Sequence, residues 1–359
     1  MSMRKVVVGT VSVVAVVVAL AALFGDRLLI RFMQRQVEAN LGGGAFQQYA
    51  DGLNVVLCGS GSPMPDPTRA GPCVAVIAGK RIVIVDVGSG SVRNLARFGI
   101  PVGQVEDLLL THFHSDHIDG LGELALQRWA GGTRSTPLPV HGPAGVESVV
   151  DGFNLAYRHD FGYRVAHHGA ATLPPSGAGV AAMPFALPAP GEGVVVIDAD
   201  GLKVTAFVVD HAPVAPAVGY RFDYRGRSVV ISGDTVKSDN LMAFAQNTDL
   251  LVHEALAIHL VDIISNGAHA VGARGMEKIS KDIHDYHVTP VQAAEIAQTV
   301  GAKHLLYYHI VPALPVRRLE KMFVDGVSDV YSGPYTVGRD GTWIQLPENR
   351  TEVKVRRRG

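Results

Sequence analysis

One short segment constrains this chain more than any other. Leu108–Thr111 reads as a buried strand, and directly after it His112-Phe113-His114-Ser115-Asp116-His117 packs three imidazoles and a carboxylate into six residues. A turn at a strand end throws neighbouring side chains to different sides, so H-x-H-x-D-H can feed two adjacent metal positions. Imidazole and carboxylate suit zinc, and also iron or manganese, better than calcium. The competing readings are a polar surface loop and a single structural zinc; the position after a buried strand favours a binuclear site. Only two cysteines are present, Cys58 and Cys73, which excludes a disulfide-framework fold and a cysteine-rich zinc module alike. The sequence leaves open whether those two pair or remain buried thiols.

Around that segment the pattern is of one alternating α/β domain over residues 51–347. Apolar runs at Leu53–Cys58, Val74–Ala78, Ile82–Asp86, Leu202–Asp210, Ala217–Tyr224, Arg227–Ser232, Leu250–His253 and His304–Tyr308 predict strands. Helices are predicted over Val92–Phe98, over Ile118–Trp129 and from Thr289. There Thr289-Pro290-Val291-Gln292 supplies an N-cap, a proline at the first helical position and a glutamine that closes a capping box. Gly301 ends that helix. The stretch Val165–Leu202 holds no Lys or Arg and is rich in Gly, Pro and Ala, the composition of a mobile loop insertion. A hydrophobic fraction of 47% supports a real core, which excludes disorder as the main state.

The two ends read differently. Arg4 and Lys5 precede the uncharged run Val6–Phe24, which as a helix would span about 28 Å, close to the ~30 Å hydrocarbon core of a bilayer. Residues 1–25 therefore read as a signal anchor, or as a signal peptide cleaved near Ala19-Leu20-Ala21, with the catalytic domain in the cell envelope outside the cytoplasm. Residues 26–50 read as an amphipathic linker carrying Arg27, Arg31 and Arg35 on one face and punctuated by Gly42-Gly43-Gly44. Residues 348–359, with Arg356-Arg357-Arg358, read as a solvated basic tail.

With these motifs in order, the chain resembles the metallo-β-lactamase superfamily, within it the ribonuclease Z and arylsulfatase branch of metal-dependent hydrolases. The resemblance rests on Leu57-Cys58-Gly59-Ser60-Gly61-Ser62-Pro63 with Pro65 and Arg69, Ile84-Val85-Asp86-Val87-Gly88, the histidine cluster and His141-Gly142-Pro143-Ala144-Gly145. It continues through Asp210-His211, Gly219-Tyr220-Arg221, Ser232-Gly233-Asp234-Thr235, Asp285-Tyr286-His287 with Thr289, and Leu306-Tyr307-Tyr308-His309. It implies a four-layer αββα sandwich, preceded here by the N-terminal hydrophobic helix. It also implies two zinc ions, with manganese or iron as alternatives, and a homodimer is common among such relatives. Residue by residue, His112, His114 and His211 would hold one metal and Asp116, His117 and His309 the other, with Asp234 bridging. A bridging hydroxide would be the nucleophile, Asp116 would orient it, and His287 would act on the leaving oxygen rather than on a metal. Glu254 is a candidate to hydrogen-bond an imidazole of the site, against a plain strand-end ion pair. His141, Asp86, Trp129 and Tyr157 read as structural.

Charge then bears on the substrate. Thirty-two Lys+Arg against 33 Asp+Glu give a net charge of −1, and the insertion carries no basic residue. Phosphate contacts require clustered Lys or Arg, so both observations argue against nucleic acid. The expectation is thus an arylsulfatase-like or phosphodiesterase-like hydrolase of a small-molecule ester. The alternatives are a ribonuclease Z-type tRNA 3′ endonuclease and a lactonase or β-lactamase-type hydrolase.

Overall fold

The computed structural model describes residues 25–35, 37–38, 49 and 51–358. The expected hydrophobic helix over residues 1–25 lies outside the described residues, except for Gly25. Residues 25–35 and 37–38 are helical and belong to a unit of their own, Met1–Gln48, whereas Tyr49–Gly359 forms the second compact unit.

In that second unit the strands are β1 (Gly52–Gly59), β2 (Cys73–Ala78), β3 (Arg81–Val85), β4 (Val105–Leu109), β5 (Leu138–Pro143), β6 (Val180–Phe185), β7 (Val194–Ala199) and β8 (Leu202–Val208). They continue as β9 (Val218–Tyr224), β10 (Arg227–Ile231), β11 (Leu250–Leu256), β12 (Leu305–Val311), β13 (Tyr335–Val337), β14 (Thr342–Pro347) and β15 (Lys354–Arg357). The helices are α1 (Ser91–Arg97), α2 (Ser115–Ile118), α3 (Leu121–Gly132), α4 (Val146–His168) and α5 (Asp239–Phe244). After them come α6 (Ile258–Ala270), α7 (Arg274–Asp282), α8 (Pro290–Thr299), α9 (Arg317–Phe323) and α10 (Val327–Val330).

Strand periodicity builds the layers. One sheet runs β15-β14-β1-β2-β3-β4-β5-β6 and the other β13-β12-β11-β10-β9-β8-β7. Alternate residues Leu53, Val55 and Leu57 of β1 and Val74 and Val76 of β2 meet Tyr220, Phe222, Val229, Ile231 and Val252 of the opposite sheet in a shared core. The intervening residues Phe207, Val230, Leu251, Leu305 and Tyr307 face outward and are covered by Ala293, Ala294, Ile296 and Ala297 of α8 and by Leu241 of α5. Each fully buried side chain of this kind contributes about 1.5–3 kcal/mol relative to exposure. Helices α1, α3 and α4 pack on the outer side of the first sheet. The result is the two-sheet α/β sandwich of the metallo-β-lactamase fold.

The structure departs from the expectations at several places. The run expected as one helix over Ile118–Trp129 splits into α2 and α3 at Gly120, where any side chain would meet the Val87 carbonyl oxygen at 2.8 Å. The Val165–Leu202 stretch is not one mobile loop. It completes α4 and then contributes β6 and β7, each at an edge of its sheet. Edge strands are covered on one side only, so their sequences lack the continuous apolar run that marks a central strand. Residues 354–357 form β15, paired antiparallel with β14, with Val355, Arg356 and Arg357 exposed, and the Arg358 guanidinium lies 3.9 Å from the centre of the Trp343 ring. Cys58 and Cys73 form a disulfide between β1 and β2. The capping box of α8 is complete: the Thr289 hydroxyl accepts from the Gln292 amide at 3.1 Å, and the Gln292 side chain accepts from the Thr289 amide at 2.8 Å.

His304 opens the segment that leads into β12 and is buried, its Nε2 2.9 Å from the Thr336 hydroxyl. Burial pulls its pKa down to about 4. The unfolded chain binds that proton near pH ~6.5, so this contribution is complete above pH ~6.5 and is lost as pH falls toward 4, by up to about 3 kcal/mol. Urea unfolding at pH 7.5 and 5.0 is expected to show a larger loss for the wild type than for His304→Gln. Equal losses would contradict this assignment.

Candidate metal centre

Both sheets deliver their functional residues at the same kind of place. Strands β3 to β6 run parallel in one sheet and β10 to β13 in the other. The carboxyl ends of parallel strands are where α/β folds gather ligands, because the chain there leaves the ladder and frees side chains and backbone groups. Asp86 follows β3, the histidine cluster follows β4, His211 follows β8, Asp234 follows β10, Glu254 lies near the end of β11, and His309 lies in β12.

Local backbone devices aim these side chains. Asp86 adopts a left-handed φ of 55°, and its Oδ1 accepts from the Thr111 amide at 2.8 Å. Its Oδ2 accepts from the Thr111 hydroxyl at 2.8 Å and lies 2.9 Å from His117 Nδ1. The carboxylate thus pins the start of the cluster loop and turns Nε2 of His117 toward the site. Gly233 has φ 63°, and a Cβ there would sit 2.7 Å from the Val218 carbonyl oxygen and 3.1 Å from Thr111 Cβ. Only glycine lets the turn after β10 pass this close and present Asp234. His309 is a bulge residue with φ 42°: Glu254 pairs with Tyr308 and Ala255 with Ile310, so His309 is the extra residue that swings out of the ladder.

The structure brings all seven expected ligand residues together. His112, His114, His211 and Asp234 offer one donor atom each within 4.8 Å of one another, as do Asp116, His117 and His309. Asp234 Oδ2 stands between the two groups, 3.9 Å from His112 Nε2, 3.9 Å from His211 Nε2, 3.4 Å from His117 Nε2 and 3.2 Å from His309 Nε2. Asp116 Oδ2 lies 3.3 Å from His309 Nε2 and 3.6 Å from His117 Nε2. Nε2 of His117, Nε2 of His211 and Oδ1 of Asp234 are buried without a hydrogen-bond partner. Buried donors and acceptors are rarely left so, and converging imidazole and carboxylate atoms in this state fit divalent metal.

The electrostatics agree with that fit except at His117, where burial lowers the pKa but the Asp234, Asp86 and Asp116 carboxylates outweigh it and hold it well above the ordinary value. Burial raises the pKa of Asp234, but the imidazoles of His309 and His117 outweigh it and hold the carboxyl well below its usual range. Burial keeps His112 well below the ordinary histidine value and lowers His114 and His211 as well, so these imidazoles are neutral and available as ligands. His287 differs. Burial pulls its pKa down, yet the Glu254 carboxylate more than compensates and leaves it raised. His287 Nδ1 is 3.2 Å from Glu254 Oε2, while Glu254 Oε1 accepts from the Val288 amide at 3.1 Å. His287 also lies within ligand reach of Asp234 and His309, so proximity alone does not separate it from the metal-binding set.

Residues 81–310 match the β-lactamase superfamily domain. Ribonuclease Z of Mycobacterium avium (strain 104) is 38% identical over 296 residues, which cover 82% of this chain and 98% of that protein. The chain belongs to the metallo-β-lactamase superfamily, in its ribonuclease Z branch. Ribonuclease Z of Mycobacterium bovis (strain BCG / Pasteur 1173P2) is 36% identical over 307 residues, 85% of this chain and 100% of that protein. Among solved structures, the metallo-β-lactamase fold protein YhfI from Bacillus subtilis superposes with a TM-score of 0.58 at 20% identity, over 82% of this chain and 99% of that one. The short form of human tRNase Z superposes with a TM-score of 0.56 at 21% identity, over 82% and 99%. These two likenesses speak to the fold.

The relatives correct the expected substrate. The arylsulfatase-like reading, with a small-molecule ester as the expected partner and nucleic acid disfavoured, is overturned by ribonuclease Z relatives that match along almost their whole length. The expected signal segment, membrane anchor and cell-envelope location are set aside with it, and among the described residues no helix is long and apolar enough to cross a membrane. The inference failed physically because the charge of one insertion does not report where on a surface the phosphate contacts lie.

Other residues find plain roles. His141 is buried, its Nε2 2.9 Å from Asp107 Oδ1, and Trp129 is buried with its indole donating to the Pro174 carbonyl at 2.8 Å. Two contributors orient ligand rings, and only one of them had a signal in the reading of single motifs. The Tyr286 carbonyl lies 2.9 Å from His211 Nδ1 and so fixes that ring, and Asp86 does the same for His117. A backbone carbonyl leaves no trace in a residue pattern, whereas an aspartate directly after a buried strand does.

Asp86→Ala strips the acceptor from the Thr111 amide, the Thr111 hydroxyl and His117 together. It is expected to weaken metal binding about 10–100-fold and to lower the thermal midpoint, as read by metal titration alongside calorimetry. Unchanged metal affinity would show that His117 does not depend on this carboxylate.

Proposed function

We propose that this chain is a metal-dependent phosphodiesterase acting on RNA, of the ribonuclease Z type that trims tRNA precursors at the 3′ side. The observation that carries the reading is the convergence of six donor side chains around one buried carboxylate, in a chain that spans 98–100% of ribonuclease Z relatives. His112, His114 and His211 would hold one divalent cation and Asp116, His117 and His309 a second, with Asp234 shared. Zinc suits this donor set best, and manganese or iron also accept it. When bound, two such cations lower the pKa of water and offset charge on phosphoryl oxygens.

The chain's own residues do the rest. Burial raises the pKa of Asp116 and Asp234, but the neighbouring imidazoles outweigh it and keep both ionised, so both are acceptors. Asp116 would accept a hydrogen bond from the attacking water and orient it. The Glu254 carboxylate beside Nδ1 engages the Nδ1 proton and favours the charged ring, so the imidazolium holds a second proton on Nε2, which it would deliver to the leaving ribose oxygen. The Val288 amide holds Glu254 in turn, so the acid is fixed on both sides. His211 and Tyr286 flank the His287 ring, with centroids 5.3 and 4.6 Å away, and limit its rotation.

Separate losses are expected from the two classes of residue. Asp234→Ala and His114→Ala should lose bound metal together with nearly all cleavage of a precursor tRNA. His287→Ala should retain metal and lose about 10²–10⁴ in turnover. Metal content measured by elemental analysis and cleavage followed on a labelled precursor tRNA test both. Turnover of p-nitrophenyl sulfate without cleavage of precursor tRNA would overturn the RNA assignment, and wild-type metal content in Asp234→Ala would overturn the ligand assignment.

A further inference from the structure

The carboxylate of Asp340, in the turn between β13 and β14, is the most heavily used acceptor outside the site. Its Oδ1 accepts from the Ser60 amide at 3.0 Å and from the Ser60 hydroxyl at 2.9 Å. Its Oδ2 accepts from the Ala70 amide at 2.8 Å and from the Asn94 side-chain amide at 2.7 Å. Ser60 directly follows β1 and is fully buried. Held at both its amide and its hydroxyl, it has little freedom to turn its peptide plane.

The Ser60 carbonyl points across to the other sheet, where it accepts from the Ile310 amide at 3.0 Å. Ile310 is the residue after His309, and His309 is the bulge of β12 with its φ of 42°. A residue other than glycine is disfavoured in that region and persists only where its surroundings hold it. The peptide that leaves the bulge is therefore clamped from the first sheet by a carbonyl whose own residue is clamped by Asp340. His309 Nε2 is within 3.2 Å of Asp234 Oδ2 and 3.3 Å of Asp116 Oδ2, so a small rotation of the bulge moves it off both.

We propose that Asp340 is a positioning residue for His309, acting through the Ser60 carbonyl on the bulge of β12. This rests on the reading above that His309 holds metal. Asp340 touches neither metal nor substrate; it sets the direction of one imidazole across the gap between the sheets. A role confined to stability would join β1, α1 and the β13–β14 turn without altering metal binding.

The test uses the full chain, stripped with a chelator and titrated with Zn²⁺ by calorimetry, with circular dichroism and thermal melting as the check on folding. Wild type, Asp340→Ala, His309→Ala and the double variant are compared. Asp340→Ala is expected to weaken one of two zinc-binding events about 10–100-fold and to leave the other near its wild-type value. In the His309→Ala background, Asp340→Ala is expected to add nothing further. If Asp340→Ala lowers the melting temperature but binds both ions as wild type does, the positioning role is overturned. A further loss in the double variant would also overturn it, because Asp340 would then act by another route. If His309→Ala itself binds both ions normally, the metal reading of His309 fails, and the inference with it. Should Asp340→Ala not fold, Asp340→Asn keeps the size and one acceptor oxygen, and a loss of about 3–10-fold is expected in its place; wild-type binding there overturns the proposal.

Discussion

A single carboxylate with almost no solvent exposure organises this protein. Asp234 is 2% exposed and remains ionised because imidazoles surround it, four of them with Nε2 within 3.9 Å of its Oδ2. Burying an unpaired carboxylate costs several kcal/mol, so the residue is tolerable only where the positive or metal-bearing partners are assembled with it. Those partners come from the ends of strands in two different sheets. The sandwich must therefore close before the charge is compensated, and the site in turn ties the two sheets together at that edge.

The tie is reinforced by bonds that cross between the sheets. The Val218 amide donates to the Thr111 carbonyl at 3.0 Å, the Tyr220 hydroxyl to the Leu110 carbonyl at 2.6 Å, and the Ile310 amide to the Ser60 carbonyl at 3.0 Å. Each lands on, or within two residues of, a residue that presents a donor or orients one. The left-handed residues Asp86, Gly233 and His309 sit in the same zone. At these positions left-handed backbone aims side chains out of a ladder, and the surrounding sheets hold it there.

Much of this was legible in the residues. The cluster His112–His117 after an apolar strand announced metal chemistry through local spacing alone, and Thr289-Pro290-Val291-Gln292 marked the start of α8 through capping chemistry that depends on four consecutive residues. Asp234, His211 and His309 were legible only as parts of an ordered set, since each alone is a common residue in a common setting. Other features were hidden for physical reasons. Strands β6 and β7 are half-covered edges whose exposed positions dilute the apolar pattern. The Cys58–Cys73 bond depends on the register shift between β1 and β2, which is a three-dimensional fact. Asp340 stabilises Ser60 from a distant turn, and no local spacing announces a partner so remote in the chain. The small-molecule reading failed because the absence of Lys and Arg from one insertion was taken as the absence of basic residues from the whole contact surface.

The account stands on the claim that Asp234 is shared by two cations, one on each set of imidazoles. Anomalous diffraction from crystals of the full chain, collected on both sides of the absorption edge of the bound metal, tests this most directly. The prediction is two peaks about 3.5–4 Å apart, both within bonding distance of Asp234. A single peak, or metal bound away from Asp234, would contradict it.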